Sequence, residues 1–273
     1  MTKQTFFRPG FVALGVLVLG AALSAQAPAP APAQQKPFQP SVGQAGKDVV
    51  WVPTADTLVA KMLDMAKLTP KDYLIDLGSG DGRTVIAAAK RGATAMGIEY
   101  NPDMVELSKK NAAAAGVASK ATFMKADIFE SDYSKATILT LFLLPQLNLK
   151  LRPTILDMKP GTRVVSNSFN MEDWEPDDTA KVEDECTSWC NAYLWIVPAK
   201  VQGTWTTPGG DLTLTQKFQM LTGTLGKTPI SDGRMHGTQI TFTAGGAKYV
   251  GEVTGTSMKG TATPGGSWTA TKR

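Results

Sequence analysis

The sequence predicts an α/β protein in which a seven-stranded, mostly parallel sheet with helices on both faces is followed by a small antiparallel β-domain. Three observations carry that expectation. Strand-like and helix-like segments alternate from Lys47 to Pro198, the pattern a parallel sheet with crossover helices requires. Within that stretch "YLIDLGSGDGRTVIAAAKR" (residues 73–91) runs from an apolar strand, through glycine at every second position, directly into a helix. After Pro198 the chain turns abruptly to Gly- and Thr-rich alternating pieces without a helical period.

Each element has its own signal. Thr54 is placed to cap a first helix whose Leu58, Met62, Met65 and Ala66 share one face, with Pro70 ending it. "YLIDL" reads as a short buried strand and "RTVIAAAKR" as a helix stopped at Gly92. "TAMGIEY" is a second strand; Asn101 and Pro102 are cap and first-turn residues of "DMVELSKKNAAAA", which Gly116 closes. "ATFMKAD" and "ATILTLFLL" are the third and fourth strands, and Pro145 opens the helix "QLNLKLRPTILDM". "GTRVVSN" is a fifth strand. Two more, near "AKVED" and "AYLWIVP", have no helix between them and predict an antiparallel edge. The alternating pieces of residues 199–273 predict a partial barrel or a sandwich.

The amino-terminal part reads differently. Lys3 and Arg8 precede the uncharged apolar run "FVALGVLVLGAAL" (Phe11 to Leu23), and "SAQA" offers small residues for cleavage, so residues 1–27 have the pattern of a secretory signal peptide. Thirteen apolar residues make about 20 Å of helix against a bilayer core of about 30 Å, so a cleaved signal is expected rather than a stable membrane anchor. Residues 28–46, rich in Pro and Ala, form an extended linker; residues 47–198 are the α/β domain and 199–273 the β-domain. The protein is therefore expected to be exported, periplasmic or secreted.

Composition excludes several chemistries. The formal charge of +4 falls to +2 without Lys3 and Arg8, and no dense Lys/Arg run occurs, so nucleic acid is not an expected partner. His236 is the single histidine and lies in the β-domain, which rules out histidine-based triads and multi-histidine metal sites; no metal is expected. Cys186 and Cys190, in "ECTSWCN" between the last two strands of the α/β domain, are expected to form a disulfide across the turn. Closing so short a loop adds only about 2 kcal/mol.

The glycine loop holds the chemistry. A strand-to-helix turn with uncovered backbone N–H groups suits an anion or the polar edge of a ligand. The Gly-Lys-Ser/Thr ending of a P-loop is missing, and Gly78, Gly80 and Gly82 run G-x-G-x-G, with Arg83 where a dinucleotide fingerprint needs its third glycine. The run from Asp76 to Gly82 instead resembles the first motif of class I S-adenosyl-L-methionine-dependent methyltransferases. That resemblance implies a seven-stranded Rossmann-like methyltransferase sheet. It also implies that Gly78, Ser79, Gly80 and Gly82 let backbone pass against the methionine part of the cofactor while Asp76 faces its ammonium. It extends to Glu99 with Tyr100 at the end of the second strand, where the acid would hold both ribose hydroxyls, and to Asp127 and Ile128 after the third, where carboxylate and backbone N–H would hold adenine. Three acids at three successive strand ends lie where such a sheet binds ligands. Over residues 51–175 the pieces "WVPT", "DLGSGDGR", "GIEYNPDMVELSKKNA" and "LFLLPQLNLKLRP" are similar to the small lysine methyltransferase family whose mitochondrial members act on the ATP synthase c-subunit.

The resemblance implies an S-adenosyl-L-methionine-dependent methyltransferase acting on a protein amine, such as a lysine, or on a small molecule. The stretch after the fourth strand is where the acceptor would approach: Leu144 and Pro145 through backbone carbonyls, Gln146 and Asn148 through side-chain oxygens. Val52, Pro53 and Thr54, before the first helix, are expected to fold over the cofactor. "MEDWEPDD" (Met171 to Asp178) is an acidic loop at the ligand edge that could attract a basic acceptor. The export signal, set against a cofactor made in the cytosol, leaves a second reading open: an exported, inactive methyltransferase fold whose β-domain recognises a ligand or an envelope partner.

Overall fold

A computed structural model describes residues 1–11 and 38–273. Most of the apolar leader run and of the Pro/Ala linker lies outside the described residues. Phe38–Arg273 is one compact unit.

The sheet is built first from β1 (Tyr73–Leu77), β2 (Thr94–Glu99) and β3 (Ala121–Lys125), then from β4 (Ile138–Leu141), β5 (Arg163–Asn167), β6 (Asp178–Lys181) and β7 (Asn191–Ile196), in the order β3-β2-β1-β4-β5-β7-β6. The first five strands are mutually parallel, and β6 and β7 add the antiparallel edge. Chain order reverses between β1 and β4, so a crevice opens at their carboxyl ends.

The alternation of strand side chains splits the core into two layers. Leu74, Ile138 and Val165 pack with α1 (Asp56–Met65), α2 (Arg83–Lys90) and α3 (Pro102–Ala114), whereas Ile75, Leu77, Leu139 and Leu141 pack with α4 (Pro145–Leu156). Asn101 caps α3 by accepting from the Asp103 N–H at 2.9 Å, as the sequence predicts. Thr54 does not cap α1. The residue before that helix is Ala55, and the Thr54 hydroxyl instead accepts from the Asn167 side chain at 3.1 Å, tying the segment ahead of α1 to the end of β5. The predicted disulfide forms between Cys186 and Cys190 in the loop joining β6 to β7.

The β-domain is a closed barrel rather than a partial one. β8 (Gly203–Thr207), β9 (Gly210–Lys217), β10 (Met220–Leu225), β11 (Thr228–His236), β12 (Gln239–Ala244), β13 (Ala247–Thr254), β14 (Ser257–Thr263) and β15 (Gly266–Lys272) pair antiparallel in sequence, and β15 returns to β8. Closure leaves no unpaired edge. Trp205, Leu212, Phe242, Met258 and Trp268 fill its interior.

The barrel docks on the sheet through "MEDWEPDD". Phe218 stacks on the buried Trp174 at 5.8 Å, Gln219 donates to the Glu175 carbonyl at 2.8 Å, and Arg234 pairs with Asp177 at 2.6 Å. Arg152 and Lys217 hold Asp173 at 2.7 and 3.2 Å. These contacts turn Asp173 and Asp177 of the loop toward basic residues of the protein, so the loop serves as a joint between sheet and barrel.

Candidate active site

The carboxyl ends of β1 to β5 open into one cleft, and the glycine loop forms its floor. Gly78 and Ser79 both donate to the Ile98 carbonyl, at 2.9 and 3.1 Å, which pins the loop to the end of β2. Gly80 has φ +54, and a Cβ there would stand 2.6 Å from Trp51 Nε1. A side chain would therefore meet both a disfavoured backbone conformation and the indole that covers the loop. Gly82 lies outside the cleft lining, with α2 beginning at the next residue, and a Cβ on it would strike the Phe123 ring at 2.7 Å. Its role is to let α2 leave the loop close to β3.

Asp76 lies near the end of β1 and is 7% exposed. Its Oδ1 accepts from Thr140 Oγ1 on β4 at 2.6 Å. Burial, helped by the nearby Glu99 and Asp81 carboxylates and opposed by the Thr140 hydrogen bond, pushes its pKa up to about 7. No cation pairs with it among the described residues. Beside it the buried Ser79 hydroxyl has no hydrogen-bond partner. That hydroxyl lies against Gly97, a residue outside the lining, so it is the unbalanced acid that fits the ammonium-bearing end of an amino acid.

Glu99 is set by two backbone donors, Gly80 N–H to Oε2 and Asn101 N–H to Oε1, each at 2.9 Å. Each oxygen keeps a lone pair for a ligand hydroxyl. Tyr100, half exposed, follows it on the lining.

Asp127 and Ile128 line the cleft beyond β3. Asp127 pairs with Lys47 and accepts from Phe129 N–H at 2.9 Å. The Lys47 ammonium, followed by that N–H, holds its carboxyl below the usual range. Lys47 also stands over the rings of Tyr100 at 5.3 Å and Phe129 at 5.9 Å. The segment from Gln44 to Thr54 thus crosses the Glu99 and Asp127 side of the cleft, and Val52, Pro53 and Thr54 line it with Trp51.

On the opposite side, the four candidate acceptor residues separate. Leu144 lines the cleft, but its carbonyl already accepts from Leu147 and Asn148 N–H, at 2.9 and 3.1 Å, starting α4. Pro145 and Gln146 lie in that first turn and outside the lining. Asn148 is fully buried, and its amide donates to Ser166 Oγ, the Phe169 carbonyl and the Asn170 carbonyl at 3.3, 3.1 and 3.3 Å. It braces the loop after β5 and does not face the cleft. The wall on this side is instead made by Phe142, Phe169 and Trp189, whose ring centroids lie 5.2–6.3 Å apart.

Lys47, Trp51, Thr140, Phe169 and Trp189 were not foreseen as site residues. Thr140 was within reach, being the polar member of an otherwise apolar strand and the register partner of Asp76. The others come from loops that only the fold brings together.

A Rossmann-like sheet with this order, a glycine loop over a buried acid and two further acids at adjacent strand ends define a class I methyltransferase that uses S-adenosyl-L-methionine. Comparison with known proteins agrees. Residues 76–178 match the family model "ANTKMT methyltransferase domain". The chain is 42% identical over 152 residues to a protein-lysine N-methyltransferase of Saccharolobus islandicus, covering 55% of this chain and 94% of that one. It is 39% identical over 107 residues to the ATP synthase c-subunit lysine N-methyltransferase of Mus musculus, spanning 39% of this chain and 43% of the mouse protein. A crystal structure of an RNA methyltransferase from Salinibacter ruber with S-adenosyl-L-homocysteine superimposes with a TM-score of 0.52 at 45% identity, over 55% of this chain and 96% of that one. The chain belongs to the methyltransferase family that these relatives share.

When bound, S-adenosyl-L-methionine supplies a methyl group already activated on a sulfonium. The residues on the lining fit that group: Asp76 would take its amino-acid end, Glu99 its ribose, and Asp127 and Ile128 its base.

Proposed function

We propose that the enzyme methylates the side-chain amine of lysine in a protein acceptor. The observation that carries this reading is the aromatic and aliphatic wall opposite the cofactor acids. An attacking amine must be neutral, against a free pKa of about 10.4, and an apolar mouth penalises its charged form. Both basic residues on the lining are paired, Lys47 with Asp127 and Arg83 with Asp81 at 2.7 Å, which leaves little to draw a polyphosphate backbone. The names of the Saccharolobus and mouse relatives support a lysine acceptor, whereas the Salinibacter relative is named an RNA methyltransferase. The chain's part is alignment, holding the acceptor in line with the methyl group, a contribution of up to about 7–11 kcal/mol.

The test is methyl transfer from labelled cofactor by the purified chain, offered total cell protein and total RNA in parallel. Label on lysine in protein, located by mass spectrometry, is expected. Label confined to RNA, or none in either pool, overturns the reading.

We further propose that the enzyme works outside the cytosol after losing residues 1–27. Support comes from Lys3, Arg8, the apolar run from Phe11 and the small residues ending at Ala27, together with a disulfide at Cys186–Cys190 of the kind oxidising compartments sustain. Amino-terminal sequencing of the exported fraction should find a chain that lacks residues 1–27. A retained Met1 in a soluble cytosolic pool defeats it.

A further inference from the structure

The sheet order divides the cleft. Base, ribose and amino-acid subsites stand over β3, β2 and β1, and the next three strands toward the other edge, β4, β5 and β7, deliver Phe142, Phe169 and Trp189. Phe142 follows β4 and Phe169 follows β5. β7 runs antiparallel to β5, so the residues before it also arrive at the carboxyl edge, as the pairing of Asn167 with Ala192 shows. Trp189 stands two residues ahead of β7, inside the loop closed by Cys186 and Cys190.

Three features set Trp189 apart. It is 47% exposed, although most large apolar side chains of the sheet domain are buried. Its φ is +60, a conformation that bulky residues seldom adopt without being forced. Its ring lies 5.2 Å from Phe169 and 6.3 Å from Phe142, which are themselves 6.2 Å apart, so the three make one continuous aromatic surface on the cleft lining. The position also falls beyond residues 76–178, which the family model matches.

The structure assigns this surface as the acceptor subsite: Phe142, Phe169 and Trp189 form an aromatic wall along which the methylene stem of an amine-bearing side chain lies, and the Cys186–Cys190 bridge holds Trp189 in that wall. The assignment rests on the lysine reading above for the identity of the acceptor. The chemistry that recommends it is twofold. Ring faces offer flat apolar area on which the methylene stem packs, and the packed stem excludes water from the amine, which favours its neutral, attacking form. In the sheet order the wall begins at β4, the neighbour of β1 with its Asp76, so it stands beside the place where the amino-acid end of the cofactor would be held.

Two measurements test it on the full chain saturated with S-adenosyl-L-homocysteine. First, n-butylammonium, which reproduces the lysine stem, is titrated while the Trp189 indole N–H is followed by NMR and identified by its absence in Trp189→Phe. A saturable shift of that signal is expected, and an unmoved signal overturns the subsite. Second, with S-adenosyl-L-methionine in place of that product, a pool of synthetic peptides, each carrying one lysine, is offered for methyl transfer, and the best is used for kinetics. Trp189→Ala should raise the acceptor KM about tenfold. Its affinity for S-adenosyl-L-homocysteine should stay within about twofold of wild type. Trp189→Phe should recover most of the loss, and the Cys186→Ser/Cys190→Ser pair should fall between. A Trp189→Ala enzyme with wild-type acceptor KM overturns the subsite while leaving lysine methylation standing. A wild-type enzyme that methylates none of the peptides, but whose indole signal shifts with n-butylammonium, overturns the lysine reading and leaves the subsite.

Discussion

Asp76 carries the sharpest consequence of any single side chain. With its pKa raised to about 7, the acid is largely protonated below neutrality, and an ammonium bound beside it must displace that proton. Affinity for S-adenosyl-L-homocysteine should therefore fall about tenfold per pH unit below 7, with proton release visible as a buffer-dependent calorimetric enthalpy. Asp76→Asn should bind more weakly at neutral pH and lose that slope. A flat profile in the wild type would falsify the ammonium contact. Stability of the ligand-free protein runs the other way. Because the folded pKa lies above the ordinary one, the contribution of Asp76 is present below about pH 4 and lost as pH rises toward 7. Asn148 gives a second prediction. Replacing it with Ala leaves the Phe169 and Asn170 carbonyls without their donor inside the protein, a loss of about 2–3 kcal/mol in urea unfolding. It should also raise the acceptor KM, since Phe169 belongs to the aromatic wall.

Among the elements, the glycine loop and the segment from Gln44 to Thr54 work as a pair. The loop needs the left-handed backbone at Gly80, and the indole of Trp51 occupies the space a side chain would take. Gly80→Ala should cost about 1–2 kcal/mol from backbone conformation alone. The clash with Trp51 adds to that, so cofactor affinity should drop about tenfold or more while α2 and the sheet stay folded by circular dichroism. A Gly80→Ala protein with unchanged affinity would contradict the close packing of loop and indole. The start of α4 shows how one element can hide a site. "LFLLPQLN" looks like a run with four acceptor contacts, but helix formation takes the Leu144 carbonyl and turns Asn148 inward, leaving Leu141, Phe142, Leu143, Leu144 and Leu147 on the lining.

Across the whole molecule, the barrel bears on the active site through the loop after β5. That loop carries Phe169 of the aromatic wall near its start and ends at Asp177, 5% exposed and paired with Arg234 of the barrel. Between these points Arg152 donates to the Met171 carbonyl at 2.9 Å and Gln219 to that of Glu175 at 2.8 Å. Arg234→Ala leaves a buried carboxylate without its cation. Because the arginine itself is 41% exposed, the loss should be about 1–2 kcal/mol rather than that of a fully buried pair. A Tm lowered by about 2–8 °C in calorimetry checks it. An unchanged Tm would show that the barrel is not coupled to the sheet through this pair.

Strand-helix alternation, the glycine loop and the three acids at strand ends were legible in the sequence because each is local. Hydrophobic period, turn residues and a strand's last positions are set within a few neighbours, and the cofactor side of the cleft is assembled from such short pieces. The Cys186–Cys190 bridge was legible for the same reason. The acceptor side was not. Phe142, Phe169 and Trp189 come from three strands that are not all consecutive along the chain. Even on the cofactor side, Lys47 meets Asp127 across 80 residues. No periodicity records such a meeting. Barrel closure also waited on tertiary structure, because whether alternating strands end in two edges or in none depends on β15 reaching β8, a pairing between the two ends of the domain. Short-range patterns along the chain are thus enough to establish the fold class, and the resemblance carried by the run from Asp76 to Gly82 adds the cofactor. What faces the methyl group is settled only by packing, since that wall exists only where distant loops are brought to one edge of the sheet.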